Sequence, residues 1–206
     1  MRDPLLLAVG TLTTVPVPAP GRVDARVSGR AMLWAPLAVL PLAVAVGLVL
    51  AGSAALGVPP LARGLLGVTV LALGTRALHW DGLSDVADGL TASYDRERSL
   101  AVMRTGTSGP AGTLAVVLVA GLQTAGLAAL SGSTAGCLVA GACVLGSRTA
   151  LAACCARPVP SARPEGLGAT VAGTVAVPAA AASWAVAAAV PAAACRHRSS
   201  AKARAR

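Results

Sequence analysis

Asp81, Asp85 and Asp88 stand at i, i+4 and i+7 in the string HWDGLSDVADGL (79–90). At ~100° per residue these positions fall within about 60° of one another on a helix, so three carboxylates share one face. Like charges so placed repel, and their proximity opposes full ionisation. A divalent cation relieves both effects, and hard carboxylate oxygens suit Mg²⁺ or Mn²⁺. Mg²⁺ takes one or two carboxylates and fills its shell with water and phosphate oxygens, which is the setting of phosphoryl chemistry. The competing reading is a solvated acidic loop paired with Arg96, Arg98 and Arg104. Asp95 and Glu97, beside Arg96 and Arg98, read as ordinary loop charges.

The residues around the aspartates extend the pattern. Gly82 and Gly89 each weaken a helix by about 1 kcal/mol relative to alanine, and leave room for a phosphate to approach the backbone. His79 is a candidate ligand, proton shuttle or interfacial residue. The stretch MRTGTSGPAG (103–112) reads as a turn entering the next apolar segment. Its helix N-terminus offers either an anion site or a plain loop-to-helix transition.

The elements that must position these groups are apolar. The chain has 206 residues, is 55% hydrophobic and only 12% charged, with a mean hydropathy of +0.73. Five of its eight acidic residues lie in 81–97. Residues 31–62, 105–147 and 166–195 carry no charge, and each run exceeds the ~20 apolar residues that cross a bilayer core. The fold class expected is all-α, a polytopic transmembrane helix bundle of about five spans (four to six). It forms one integral membrane domain over 1–195, followed by a basic, disordered tail over 196–206. Alanine, glycine and valine dominate, which favours close helix packing.

The expected spans are 32–58, a weaker one over 61–78, two across 105–147 with the second reaching 156, and a fifth over 169–194. Arg63 and Arg76 flank the second and are expected to snorkel, and the positive-inside rule orients the set. With the loop bearing Arg22, Arg26 and Arg30 in the cytoplasm, 79–110 and 157–169 also face the cytoplasm. The uncharged turns at 58–60 and 131–136 then face outward. A fifth crossing would export a tail with five positive charges, so either that segment does not cross or the pattern is cut short.

The net charge of +9 does not indicate nucleic acid, because the basic residues are scattered and no aromatic platform accompanies them. A solvated tail or contact with anionic lipid headgroups fits better. A homo-oligomer is compatible with the sequence. Cys137, Cys143, Cys154, Cys155 and Cys195 lack paired metal or redox spacing and read as small buried hydrophobes. The N-terminus lacks the apolar core of a signal peptide.

Taken together, HWDGLSDVADGL, YDRERSLAVMR (94–104) and the glycine-rich turn resemble cobalamin synthase, the adenosylcobinamide-GDP ribazoletransferase family. Further matches are LTTVPVP (12–18), Ser147-Arg148 and ARPEGLG (162–168), in order along residues 5–170. The resemblance implies a polytopic, Mg²⁺-dependent transferase of the cell (plasma or inner) membrane. Its substrates are adenosylcobinamide-GDP and α-ribazole or its 5′-phosphate, and its products are GMP and the nucleotide loop of cobalamin. It implies that Asp81, Asp85 and Asp88 hold Mg²⁺ against the diphosphate while the ribazole 5′-hydroxyl attacks the phosphate bonded to cobinamide. Arg104, Arg148 and Arg163 would contact phosphate, and His79 would take the hydroxyl proton.

The chain departs from the family pattern at two places. No carboxylate follows the M-R pair, where Thr105 to Ser108 stand, and the family's later T-G-D-x-x-G-A string does not occur. If that string completes the site, the expectation is an inactive chain, one that needs a partner, or an altered reading frame. The CDP-alcohol phosphatidyltransferases offer an alternative, but they need D-G-x-x-A-R, which Ser84-Asp85 does not supply. A non-catalytic transporter, scaffold or degenerate relative would place its acids inside spans, whereas these lie at a span's end.

Overall fold

Charge-free apolar sequence satisfies its backbone polar groups internally by forming helices. The computed structural model describes residues 2–188, and these form helices joined by turns and by two longer connections, 13–24 and 155–166. In chain order they are α1 (Arg2–Leu12), α2 (Ala25–Leu33), α3 (Ala35–Ala38), α4 (Leu40–Ala55) and α5 (Pro60–Gly74). There follow α6 (Leu78–Ala92), α7 (Arg96–Val102), α8 (Pro110–Leu130), α9 (Thr134–Ser147), α10 (Thr149–Cys154) and α11 (Leu167–Val171), then α12 (Val177–Ala188). A helical membrane protein is what these elements make.

The spans differ in detail from expectation. Among the described residues two helical segments are long and apolar enough to cross a bilayer, Pro110–Leu130 and Thr134–Cys154, or three if α5 and α6 form one bent span. The expected 32–58 span is interrupted at Trp34 and Val39, giving α2, α3 and the 16-residue α4. Pro36 and Pro41 each fall in the first turn after a break, where proline's missing N–H costs nothing. The expected fifth span is divided by Gly173, whose φ is +68°, and residues 189–194 lie outside the described residues. So does the tail over 196–206.

By contacts the chain divides into two compact units. Unit 1 is Met1–Leu48 with the chain from Thr134 onward, and unit 2 is Val49–Ser133. In unit 1, Ala8, Ala31, Met32, Ala38, Ala152, Cys155 and Val175 build a core of small side chains. Glycines set its spacing. A Cβ on Gly29 would lie 2.6 Å from the Thr174 carbonyl oxygen, and one on Gly141 would lie 3.1 Å from that of Ala43. Cys137 and Cys155 are buried as expected, whereas Cys143 and Cys154 are exposed. Cys195 lies outside the described residues.

Arg26 and Arg30, expected in a loop, lie on α2 instead. Asp24 starts that helix, its side chain accepting the Val27 N–H at 2.8 Å and pairing with Arg22 Nε at 2.9 Å. The cap bond, together with the Arg22 charge, holds the Asp24 carboxyl below its ordinary value.

In unit 2, α5 and α8 pack antiparallel. Gly64, near the start of α5, meets the Thr124 carbonyl oxygen near the end of α8, with Gly67 against Leu127 and Leu50. The two uncharged turns therefore lie at one end of the unit and α6 at the other. Arg63 was expected to snorkel, but it reaches inward across the turn end. Its Nε donates to Val58 O at 2.7 Å and its Nη1 to Ser131 O at 2.8 Å. Arg63→Ala is expected to lower stability by about 2 kcal/mol, since it removes two charge-assisted bonds. Arg63→Lys should recover part of this. Thermal unfolding of the detergent-solubilised chain checks it, and an unchanged midpoint in Arg63→Ala would refute the clamp.

Candidate functional site

The acidic string is helical, as its spacing requires, and a sharp turn carries it away from α5. The two helices are bent by 91° across 75–77. Arg76 and Ala77 both have φ of +55°, the left-handed region that residues other than glycine rarely occupy. The Ala77 N–H donates to Ala72 O at 2.8 Å and so closes α5, while Asp81 N donates to Ala77 O at 3.0 Å and opens α6. His79 sits half-buried in the first turn of α6, beside this bend.

Along α6 the three aspartates meet different surroundings. Asp88 is half-buried and each of its carboxylate oxygens accepts one N–H from α8. Oδ2 accepts the Gly109 N–H at 2.7 Å, and Oδ1 accepts the Gly112 N–H at 2.8 Å. Gly109 is the N-cap of α8 and has no side chain to satisfy the first-turn donors. A carboxylate from α6 takes over that function and also meets the positive end of the helix dipole. The anion site considered at this N-terminus is thus filled by the protein's own Asp88.

Asp81 is exposed and Asp85 half-buried, and neither carboxylate makes a hydrogen bond or ion pair among the described residues. None of the three aspartates pairs with an arginine, which sets aside the paired acidic loop. Asp81 and Asp85 remain as two carboxylates one helical turn apart.

Ser84, Ser108 and Gly112 complete the α6–α8 junction, and sequence reading passed over them. Ser84 is buried, and its hydroxyl bonds that of Ser108. A Cβ on Gly112 would collide with Ser84 Oγ and Asp88 Oδ2, and one on Gly109 would lie 2.6 Å from Asp88 Oδ1. The available signals were Ser84 at i−4 from Asp88, and Gly-Pro-x-Gly at a helix start, with proline at N1.

The two glycines of α6 behave differently. The space beside Gly89 is occupied by Met103, whose Cγ would lie 2.5 Å from an added Cβ, so this glycine seats the chain after α7 and gives no room for a phosphate. Beside Gly82 nothing lies within 4 Å. Asp95, read as a loop charge, caps α7 by accepting the Arg98 N–H at 2.8 Å. Arg104 follows α7 and is exposed.

Arg148 and Arg163 belong to unit 1. Arg148 stands at the α9–α10 junction, where its Nη1 donates to Ser147 Oγ at 3.3 Å while its buried Nε has no hydrogen-bond partner. Arg163 is half-buried, with its backbone N–H directed to Ser161 Oγ at 3.4 Å.

No group of three or more His, Cys, Asp or Glu side chains converges on an ion-binding position among the described residues. Asp88 has spent one acceptor direction of each oxygen on α8. The residues that fit a cation are therefore Asp81 and Asp85, and a pair of carboxylates suits Mg²⁺, which draws its remaining ligands from water and phosphate.

The model of the cobalamin-5-phosphate synthase family matches residues 4–202. An adenosylcobinamide-GDP ribazoletransferase of a Nocardioides species is 60% identical over 178 residues, covering 86% of this chain and 76% of the relative. The protein of that name from Frankia casuarinae is 42% identical, covering 80% of this chain and 62% of its own length. A third, from Pseudomonas paraeruginosa, is 41% identical, over 63% of this chain and 52% of the relative. No solved structure matches.

Proposed function

This chain belongs to the cobalamin-5-phosphate synthase family, and from that membership we propose that it transfers α-ribazole, or its 5′-phosphate, to adenosylcobinamide-GDP. GMP leaves, and the product carries the nucleotide loop of cobalamin. The observation that carries the assignment to this site is the pair Asp81 and Asp85, unpartnered on a helix turned 91° from its span.

In this reading Asp81 and Asp85 hold Mg²⁺. Bound there, Mg²⁺ supplies charge stabilisation to the diphosphate. Asp88 keeps α6 and α8 locked through the Gly109 and Gly112 amides, and fixes the orientation of the two free carboxylates. Arg104, in the same unit, contacts substrate phosphate, and the family pattern gives Arg148 and Arg163 the same kind of role. The unpaired buried Nε of Arg148 supports a role in receiving an anion. His79, in the first turn of α6, accepts the ribazole hydroxyl proton.

Placement in the cell membrane follows the same reading. With α5 along the membrane normal, the 91° bend lays α6 in the membrane plane, at the end of unit 2 opposite the uncharged turns. The positive-inside rule puts that end in the cytoplasm, where soluble nucleotide substrates are found.

Membranes containing the protein, supplied with Mg²⁺, adenosylcobinamide-GDP and α-ribazole, should form cobalamin and GMP. Asp81→Ala and Asp85→Ala should each reduce the rate by more than the roughly 10- to 100-fold typical of losing a group that only orients a metal ligand, and leave the unfolding midpoint in place, because neither side chain has a protein partner to lose. Absence of product from well-inserted wild type would refute the transferase reading. Full activity in Asp85→Ala would refute the metal assignment alone.

A further inference from the structure

We propose that Arg26, Arg30 and Arg157 of unit 1 form a binding site for a phosphate group. All three line one cavity of about 420 Å³, together with Gly173, Thr174 and the first turn of α12. No Asp or Glu lines it. Arg26 and Arg30 lie at i, i+4 on α2 and so share a face. Arg157 is brought to the same cavity by the chain pairing beside it. Its N–H donates to Val175 O at 2.9 Å, and Val175 N–H donates to Cys155 O at 3.0 Å, in a parallel bridge. Gly29, between the two helical arginines, lets α2 sit directly on Thr174, since a Cβ there would lie 2.6 Å from the Thr174 carbonyl oxygen. The convergence is thus built by backbone contacts rather than by chance exposure.

Three guanidinium groups round one cavity repel one another, and the protein supplies no neutralising carboxylate within it. Asp24, whose carboxylate also feels the Arg26 charge, lies outside the cavity lining and is bound to Arg22 Nε and to the Val27 N–H. An adjoining cavity of about 270 Å³ shares Arg26 and Arg30, but it contains both Asp3 and Asp24. Of these two adjoining cavities, the larger is the one without acid. None of the three arginines makes an ion pair or side-chain hydrogen bond among the described residues, so their donor forks are available. A tetrahedral phosphate oxyanion suits them, since guanidinium binds it bidentately, and the N-terminal end of α12 adds the favourable end of a helix dipole. The phosphate can belong to an anionic lipid headgroup or be free in solution, since both present the same oxyanion. The site does not depend on the transferase reading.

The test uses the full chain, and its readout is binding. The protein is placed in phosphatidylcholine nanodiscs and titrated with radiolabelled inorganic phosphate. In parallel, protein purified from discs containing one-fifth phosphatidylglycerol is assayed for retained phosphatidylglycerol by native mass spectrometry. Wild type should bind at least one of the two probes. Arg157→Gln, and separately Arg26→Gln with Arg30→Gln, should weaken that binding about tenfold. Arg98→Gln, an exposed arginine of α7 in unit 2, should match wild type. Inorganic phosphate binding in pure phosphatidylcholine identifies a soluble ligand, and retention of phosphatidylglycerol alone identifies the lipid. Failure of both probes to bind wild type overturns the proposal. So does binding that all the arginine variants retain at the Arg98→Gln level.

Discussion

Asp88→Asn is expected to destabilise the protein by about 3 kcal/mol and to abolish most transferase activity, although it changes the side-chain volume little. The two carboxylate oxygens accept the Gly109 and Gly112 N–H groups at 2.7 and 2.8 Å. An amide can supply only one of these acceptors, and its NH₂ would face the remaining donor. Leaving a partly buried N–H unsatisfied costs about 1–3 kcal/mol, and loss of a negative charge at the α8 N-terminus adds up to ~1 kcal/mol. Asp88→Ala should cost at least as much, since both donors lose their partner. The comparison with Asp81→Ala is decisive, because Asp81 is exposed and unpaired. Thermal unfolding and product formation, measured on the same preparations, should place Asp81→Ala low in activity but normal in midpoint, and Asp88→Asn low in both. A normal midpoint in Asp88→Asn would show that Asp88 does not join α6 to α8.

Gly112→Ala is expected to cost about 3 kcal/mol and to inactivate the site with it, whereas Gly121→Ala on the same helix should be neutral or stabilising by up to ~1 kcal/mol. Alanine is the better helix former at both positions, so propensity alone would make both changes favourable. Surroundings reverse the sign at Gly112. Its added methyl would collide with Ser84 Oγ and Asp88 Oδ2 and lie 2.8 Å from the Ser84 carbonyl oxygen, and backbone cannot swing aside as a side-chain tip can. Relief requires α6 and α8 to separate, which stretches the Asp88 bonds. Nothing lies within 4 Å of a Cβ at Gly121. Helix content by circular dichroism should stay near wild type in both variants, with the unfolding midpoint lowered only in Gly112→Ala. Equal midpoints would mean that α6 and α8 do not approach as closely as the glycine implies.

These two cases mark where sequence reading succeeded and where it stopped. The acidic face of α6 was legible because i, i+4, i+7 spacing is a property of the helix alone. That the three acids differ was not, since Asp88 is distinguished by donors 21 and 24 residues further along the chain. Met103 beside Gly89 is a similar case. A glycine in a helix shows only that space is used, and here the Met103 side chain occupies the room expected for a phosphate. The breaks at Trp34 and Val39 had local signals in Pro36 and Pro41, but the charge-free composition of 31–62 outweighed them.

By itself the sequence determined that this is a helical membrane protein, which family it belongs to, and that three of its acids share one helix face. Burying charge in lipid is costly and helical spacing is fixed, so both leave their mark on any single stretch of chain. The tertiary structure alone decided that Asp88 serves α8 while Asp81 and Asp85 remain free. It also decided that Arg63 ties two turns together, and that Arg26, Arg30 and Arg157 converge on a cavity without acid. Those outcomes depend on how closely a helix approaches its neighbouring chain, which glycines at Gly29, Gly64 and Gly112 permit but which no local pattern specifies.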